Sequence, residues 1–166
     1  MTKKLYGSFF NRVFENQGFE NIQVGTLATE FLYSDRHAWE VVEVKDQKNI
    51  TIRQLKATRI DNNGMSDCQE YKFASDENGM ERKLTLRNGS WYRVNEYSIE
   101  QLKKNYKTNE MARDFKTEQN FVNYALAMSG LTQKQIENVR NGKTAKKLVK
   151  INISFGKADE YFDYTF

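Results

Sequence analysis

The chain has 166 residues, one cysteine, no proline and a formal net charge of +4. This length predicts one domain, with room for a small appended module, and the single Cys68 excludes an internal disulfide framework. No apolar run approaches the ~18 residues of a spanning helix, and the first residues lack the apolar stretch of a signal peptide. The sequence therefore predicts a soluble, cytoplasmic protein.

The first two-thirds of the chain has the alternating pattern of half-buried β-strands. Residues 39–44 and 49–55 are β-branched and nearly alternating, and residues 56–60 are expected to continue the second of these strands. Shorter strands are predicted over residues 70–73, 82–86 and 90–94. In a chain without proline the turns must rest on Asn-Gly pairs, which favour hairpins because they accept positive φ. We expect a twisted antiparallel sheet or a small barrel.

The period of the apolar residues changes from strand to helix at residue 98. Three N-cap patterns are typical of helix starts, at Ser98, Thr117 and Thr132, and the first and third are capping boxes completed by Gln101 and Gln135. Gly130 and Gly142 are expected to end the second and third helices in the left-handed conformation. The apolar positions at helical spacing are Phe121, Tyr124, Ala125 and Met128 in the second helix, and Ile136 and Val139 in the third.

The strand pattern returns at the end of the chain. Residues 148–155 alternate, and residues 161–166 are rich in aromatic side chains. An isolated strand is not stable in water, so this segment is predicted to pair with the N-terminal sheet. The expected fold is α+β: a β-domain of residues 1–97 plus 148–166, with a helical insertion, 98–147, before the C-terminal strands.

Charge is distributed unevenly along the chain. Residues 1–97 are neutral, residues 98–150 carry +6, and residues 151–166 carry −2. A basic segment favours an anionic partner, although it is also typical of a solvated helix face. The candidates for nucleic-acid or anion binding are Lys134, Arg140, Lys143, Lys146 and Lys147. The candidates for an acidic partner-binding face are Asp159, Glu160 and Asp163.

Aromatic and basic residues also alternate in the β-part of the sequence. Rings beside guanidinium groups can form stacking platforms for bases, whereas in an aromatic-rich barrel most rings pack in the core. The candidates for a nucleotide-binding pocket are Tyr33, Arg36, His37, Trp39 and Arg59.

Enzyme motifs are not found in the sequence. His37 beside Asp35 could act as a base toward Cys68, but no motif supplies an orienting group or an oxyanion site. Residues 61–67 resemble a calcium loop only superficially, because Ser66 and Lys72 occupy the sixth and twelfth positions. Phosphate loops, zinc-binding helices and nucleophile elbows are absent. The sequence therefore predicts a protein without catalytic activity, cofactor or metal.

Two partial resemblances bear on function. Residues 129–136 followed by 141–143 resemble parts of a helix-turn-helix repressor domain, without a separate recognition helix. Residues 31–44, 59–71 and 154–166 resemble a family of small, largely uncharacterised proteins encoded by bacteriophages and prophages of low-GC Gram-positive bacteria. This second resemblance implies a phage origin and a shared β-scaffold, and carries no known catalytic residues.

The phage resemblance, the lack of catalytic motifs and the separated charges lead to one functional hypothesis and two alternatives. The hypothesis is a non-enzymatic phage accessory protein that inhibits a bacterial nucleic-acid-targeting defence complex, as anti-CRISPR proteins inhibit Cas nucleases. Its acidic residues could then mimic phosphates toward a basic nuclease channel. The alternatives are a DNA- or RNA-binding protein that acts through the basic helical module, and a protein that captures a nucleotide signal.

Overall fold

The computed structural model of the chain describes residues 21–108, 112 and 114–165. Nine strands are described: β1 (Leu27–Phe31), β2 (Arg36–Asp46), β3 (Asn49–Gln54), β4 (Lys56–Arg59), β5 (Tyr71–Ala74), β6 (Glu81–Arg87), β7 (Ser90–Tyr97), β8 (Ala145–Lys150) and β9 (Asn152–Phe155). Three helices are described: α1 (Ile99–Thr108), α2 (Glu118–Met128) and α3 (Gln133–Arg140). No described helix combines the length and the apolar character that a membrane crossing requires.

The chain forms two compact units. The first, here the β-unit, contains Met1–Arg93 and Val149–Phe166, and the second, here the helical unit, contains Val94–Leu148. All three described helices lie between β7 and β8, so the expected α+β fold with helices before the C-terminal strands is confirmed.

A curled antiparallel sheet of seven strands, a half-barrel, is the main feature of the fold. Its strand order is β8-β7-β6-β3-β2-β1-β9, with β4 and β5 forming a separate two-stranded sheet. The strands at the two ends of this order, β8 and β9, are separated in sequence only by Ile151. One continuous segment therefore joins the β7 edge to the β1 edge, and this forces the sheet to curl.

The return of the C-terminal segment to the front of the chain is confirmed. Strand β9 pairs with β1 in antiparallel register, with Ala28 opposite Phe155 and Glu30 opposite Ile153. The Ile151 amide donates to the carbonyl of Trp91 on β7, at 3.1 Å. Because side chains alternate between the faces of a strand, this register directs one row of apolar residues into the curl.

The core of the β-unit consists of that inner row. It contains two fully buried tryptophans, Trp39 and Trp91, and the Trp91 ring lies 5.5 Å from that of Phe155 between centroids. The aliphatic members are Ile22, Val41, Ile50, Ile52, Leu84, Ile151 and Ile153. Register shifts between Val41 and Glu43, and between Val44 and Asp46, mark irregularities in β2 of the kind that increase strand twist.

The predicted continuation of the second strand through residues 56–60 is wrong. The ladder with β2 ends near Gln54, and the Leu55 amide donates to the carbonyl of Ala38. Beyond Leu55 the chain leaves the seven-stranded sheet, and β4 pairs with β5 instead. Leu55 is buried against Ala38 and Ala158, so a tertiary contact rather than local propensity sets this break.

One of the Asn-Gly pairs forms the expected two-residue hairpin. Asn88 and Gly89 join β6 to β7 with φ of 49° and 70°, as a type I′ turn requires. Gly79 does not adopt positive φ; it is required because a Cβ at this position would collide with the carbonyl oxygen of Gln54.

The helical unit has its own core, formed by Leu102, Val122, Leu126, Val139 and Ala145. The Thr117 N-cap and the Thr132 capping box are confirmed, and the Ser98 hydroxyl accepts from the Gln101 amide at 3.2 Å. The buried positions expected in α2 are partly wrong, because Tyr124 and Met128 are exposed while Phe121, Val122 and Leu126 are buried. The helix is rotated so that these three residues face the core.

Candidate functional site

The C-terminal tail, residues 156–165, contacts the start of β2. Arg36 and Tyr161 form an isolated antiparallel bridge through both backbone hydrogen bonds, at 3.0 and 3.1 Å. The Arg36 guanidinium pairs with the Asp159 carboxylate at 3.0 Å and lies over the Tyr161 ring, 4.6 Å from its centroid. The tail therefore binds the β-unit through backbone, charge and ring contacts at once.

His37 and Glu160, the next residues of β2 and of the tail, form a second contact between the two segments. His37 Nδ1 lies 2.9 Å from Glu160 Oε1, and the Ala38 amide donates to Glu160 Oε2 at 2.8 Å. The hydrogen bond to Glu160 raises the pKa of His37 above its usual value, while burial acts in the opposite direction. Glu160 is thus held at both oxygens, and it favours the protonated form of the imidazole.

The end of the tail contacts the segment that joins β4 to β5. Arg59 forms a bidentate pair with Asp61, both bonds 2.8 Å, and a third nitrogen of Arg59 donates to the Tyr164 hydroxyl at 2.9 Å. Asp61 also accepts from the amides of Asn63 and Glu70. The Arg59 guanidinium, together with these amides, holds the pKa of Asp61 well below its usual range.

A loop between β4 and β5 completes the contact. The Tyr161 hydroxyl donates to Asp67 at 2.8 Å, and burial together with this bond raises the pKa of Tyr161 to about 12. The Gln69 side chain bonds both the amide and the carbonyl of Phe162, at 3.1 and 2.6 Å. Here we call the set of contacts between the tail and residues 35–38, 59–61 and 67–69 the tail network.

Two of the three carboxylates proposed as an acidic partner-binding face, those of Asp159 and Glu160, belong to the tail network, and the third bonds within the tail. Asp159 and Glu160 are neutralised by Arg36 and His37, and Asp163 accepts both the amide and the hydroxyl of Thr165. These bonds hold the tail in place. Their role toward a partner stays a prediction, and it would require the carboxylates to keep or exchange these internal contacts.

The five pocket candidates have different surroundings in the structure. Trp39 is fully buried beneath the Arg82 guanidinium, whose carbon lies 4.5 Å from the ring centroid. Arg36 and His37 contact Asp159 and Glu160 of the tail. Arg59 contacts Tyr164, near the end of the tail. Tyr33 is 59% exposed. A nucleotide-binding role for these five residues stays a prediction.

The five basic candidates of the helical unit fall into two groups. Lys147 Nζ donates to the carbonyl of Ser129, the C-cap of α2, at 2.7 Å, and Lys146 pairs with Glu96 at 3.2 Å. Lys134, Arg140 and Lys143 are exposed and form no ion pair with any residue that the structure describes. The second group is therefore available to an external anion.

Cys68 and His37 do not share a site. Cys68 is exposed, and its carbonyl accepts from the Asn63 side chain at 2.8 Å, whereas His37 is occupied by Glu160. Within residues 21–108, 112 and 114–165 there is no group of three or more His, Cys, Asp or Glu side chains placed to hold a metal ion.

Buried ion pairs on the sheet were not predicted from the sequence. The Arg82 Nη1 atom donates to both oxygens of the buried Glu30, at 2.8 and 2.6 Å. Buried Glu40 accepts from Arg53 at 3.0 Å and from the Ser75 hydroxyl at 2.7 Å. The one available signal was a glutamate between apolar neighbours in a strand, such as Glu40 between Trp39 and Val41.

Comparisons of the chain with protein-family models, with curated proteins and with solved structures found no significant match.

Proposed function

We propose that this chain is a non-enzymatic bacteriophage accessory protein that acts in the host cytoplasm. In this proposal it binds and inhibits a nucleic-acid-targeting defence complex of the bacterium, an RNA-guided nuclease, and its helical unit contacts the nucleic acid of that complex. The observation that carries the proposal is the separation of charge between the two units.

The helical unit carries the whole net charge of the protein. Val94–Leu148 contains ten Lys and Arg against six Asp and Glu, which gives +4, so the rest of the chain is neutral. Three of those cations, Lys134, Arg140 and Lys143, are exposed and form no ion pair with described residues. Such a surface favours an anionic partner, and phosphate contacts dominate affinity for nucleic acids.

The β-unit supports a binding role in a different way. Its curled sheet and buried ion pairs make a rigid scaffold, and the sole histidine is held in the tail network. Because Asp159 and Glu160 are committed to Arg36 and His37, mimicry of phosphates by the tail is less well supported than contact through the cations.

The experiment is a DNA-cleavage assay with purified RNA-guided nucleases and excess protein. Wild-type protein is expected to reduce cleavage by at least one nuclease and to co-elute with it on gel filtration. The variant Lys134→Glu, Arg140→Glu, Lys143→Glu is expected to lose inhibition, since three cations become anions. Full cleavage throughout, with no complex on gel filtration, would contradict the proposal.

A matched control changes the same net charge on the other unit. Lys45, Lys56 and Lys72 are exposed residues of β2, β4 and β5, and their replacement by glutamate should preserve inhibition. Equal loss by both triple variants would indicate a net-charge effect rather than a surface on the helical unit.

Direct binding of DNA or RNA is the second candidate, favoured by the same exposed cations. It predicts salt-dependent binding of a free oligonucleotide with no inhibition of any nuclease.

A further inference from the structure

A pocket of about 350 Å³ lies in the β-unit, lined by the end of β1, by Arg93 on β7 and by the segment through Ile151 that joins β8 to β9. At Ile151 the chain stops pairing with β7 as strand β8 and starts pairing with β1 as strand β9, so neither ladder continues through this residue. We call this cavity the seam pocket. Its volume is in the range of small-molecule sites.

Arg93 gives the seam pocket an unsatisfied donor. Its Nε atom is buried and has no hydrogen-bond partner among the described residues. A buried donor without a partner costs free energy, because the hydrogen bond that water would provide is lost. Arg93 also lines the seam pocket, so its guanidinium brings a positive charge to the cavity wall that an anionic group of a ligand would meet.

The local charge favours an anion. Glu30 also lines the pocket, but both of its oxygens are already bonded to Arg82. Burial lowers the pKa of Arg82, and the positive charge of Arg93 acts in the same direction. Glu30 is therefore committed to Arg82, and Arg93 is a second guanidinium close enough to act electrostatically on the first.

The rest of the pocket surface is suited to an apolar body. Phe31 and Ile151 are buried apolar residues in its wall, at 6% and 8% exposure. The Tyr33 ring and the exposed Lys150 also belong to its lining, and they add a ring face and a second cation. A ligand with one anionic end and one apolar end would match both parts.

We propose that the seam pocket binds a small organic anion, with its carboxylate or phosphate held by Arg93 and its apolar body against Phe31 and Ile151. This proposal goes beyond the binding function of the helical unit and does not depend on it. It assigns the β-unit a ligand that could alter or stabilise the scaffold.

The test is isothermal titration calorimetry of the full chain with phenyl phosphate, phenylacetate, benzyl alcohol and inorganic phosphate. At least one of the two aromatic anions is expected to bind, and the stronger of them identifies the preferred anionic group. Neutral benzyl alcohol and inorganic phosphate should each bind at least about tenfold more weakly, because each lacks one of the two parts.

Two variants locate the binding. Arg93→Gln should weaken the aromatic anion by about tenfold or more, whereas Arg87→Gln, an exposed arginine on the adjoining strand β6, should leave it unchanged. Lys150→Gln, at an exposed position, should also weaken binding and covers the case in which Arg93→Gln does not fold. Failure of both aromatic anions to bind at millimolar concentration would overturn the proposal. So would equal binding of inorganic phosphate, or equal loss in Arg87→Gln.

Discussion

Among the lysines of the helical unit, Lys147 and Lys143 differ in what their ammonium groups contact. Lys147 bonds the Ser129 carbonyl at the end of α2, where the helix dipole favours a cation. Lys143 is exposed beyond α3 and forms no ion pair with described residues. One lysine therefore stabilises the unit, and the other is free to meet a ligand.

Replacement of each lysine by methionine separates these two roles. Lys147→Met is expected to lower the free energy of unfolding by about 1–2 kcal/mol, because a charge-assisted hydrogen bond is lost. Lys143→Met should change it by less than about 0.5 kcal/mol, as at other exposed sites. Urea denaturation measures both, and equal effects of the two substitutions would contradict the assignment.

The pair of His37 and Glu160 predicts a pH dependence of stability. Glu160 raises the pKa of His37 above the usual value of 6.5, so folding favours the protonated imidazole. The stabilisation is therefore complete below pH 6.5 and is lost as pH rises through the raised pKa. The stability advantage of wild type over Glu160→Gln should shrink between pH 6 and pH 9, measured by urea denaturation.

Glu77→Gln provides the control for this titration, because Glu77 is exposed and has no contact with His37. Its stability difference from wild type should be flat over the same range. An advantage over Glu160→Gln that grows with pH would show that the ion pair does not form.

At the scale of elements, strand β9 pairs with β1 at one end of the sheet order. Ile153 is fully buried in this short strand, opposite Glu30 of β1. Ile153→Ala should therefore lower the free energy of unfolding by about 2–5 kcal/mol through lost burial and the cavity that remains. Ile60→Ala, at a position 47% exposed, should change it by less than about 0.5 kcal/mol. Thermal or urea denaturation distinguishes these values, and a small effect at Ile153 would contradict the place of β9 in the core of the β-unit.

The elements that could be predicted from the sequence are those fixed by local interactions. The Thr132 box satisfies amides within its own first turn, and the Asn88-Gly89 turn needs only its own positive φ values. The end of β3 at Gln54 could not be predicted, because Leu55 is held by Ala38 and Ala158 from distant parts of the chain. Burial of Trp39 beneath Arg82 has the same origin, since strands β2 and β6 meet only through β3.

Of the candidate site, the sequence could predict the net charge of each segment but not the contacts of its side chains. Charge totals are a property of the sequence, so the basic character of the helical unit follows without coordinates. The sequence does not show which of these cations are exposed, because the Ser129 carbonyl that binds Lys147 lies eighteen residues away. The tail network and the seam pocket arise from contacts between residues that are far apart in sequence, and no local pattern encodes them.

At the scale of the whole molecule, a basic helical unit is inserted in a neutral β-scaffold. This separation suggests that the helical unit recognises an anionic partner and the β-unit supports it. The acids and bases of the tail network pair with one another inside the β-unit, which is neutral overall, whereas the helical unit carries the net charge of +4. We therefore expect this unit to recognise an anionic polymer, with an affinity that depends strongly on salt.

The most direct test is the fluorescence anisotropy of a labelled single-stranded RNA titrated with protein over a series of salt concentrations. Wild-type affinity should fall linearly with salt on logarithmic axes, and the Lys134, Arg140, Lys143 triple glutamate variant should have a slope smaller by about 2, given about 0.7 per phosphate contact on single strands. The Lys45, Lys56, Lys72 variant should keep the wild-type slope. Identical slopes for all three proteins, or no binding by wild type at low salt, would contradict the account.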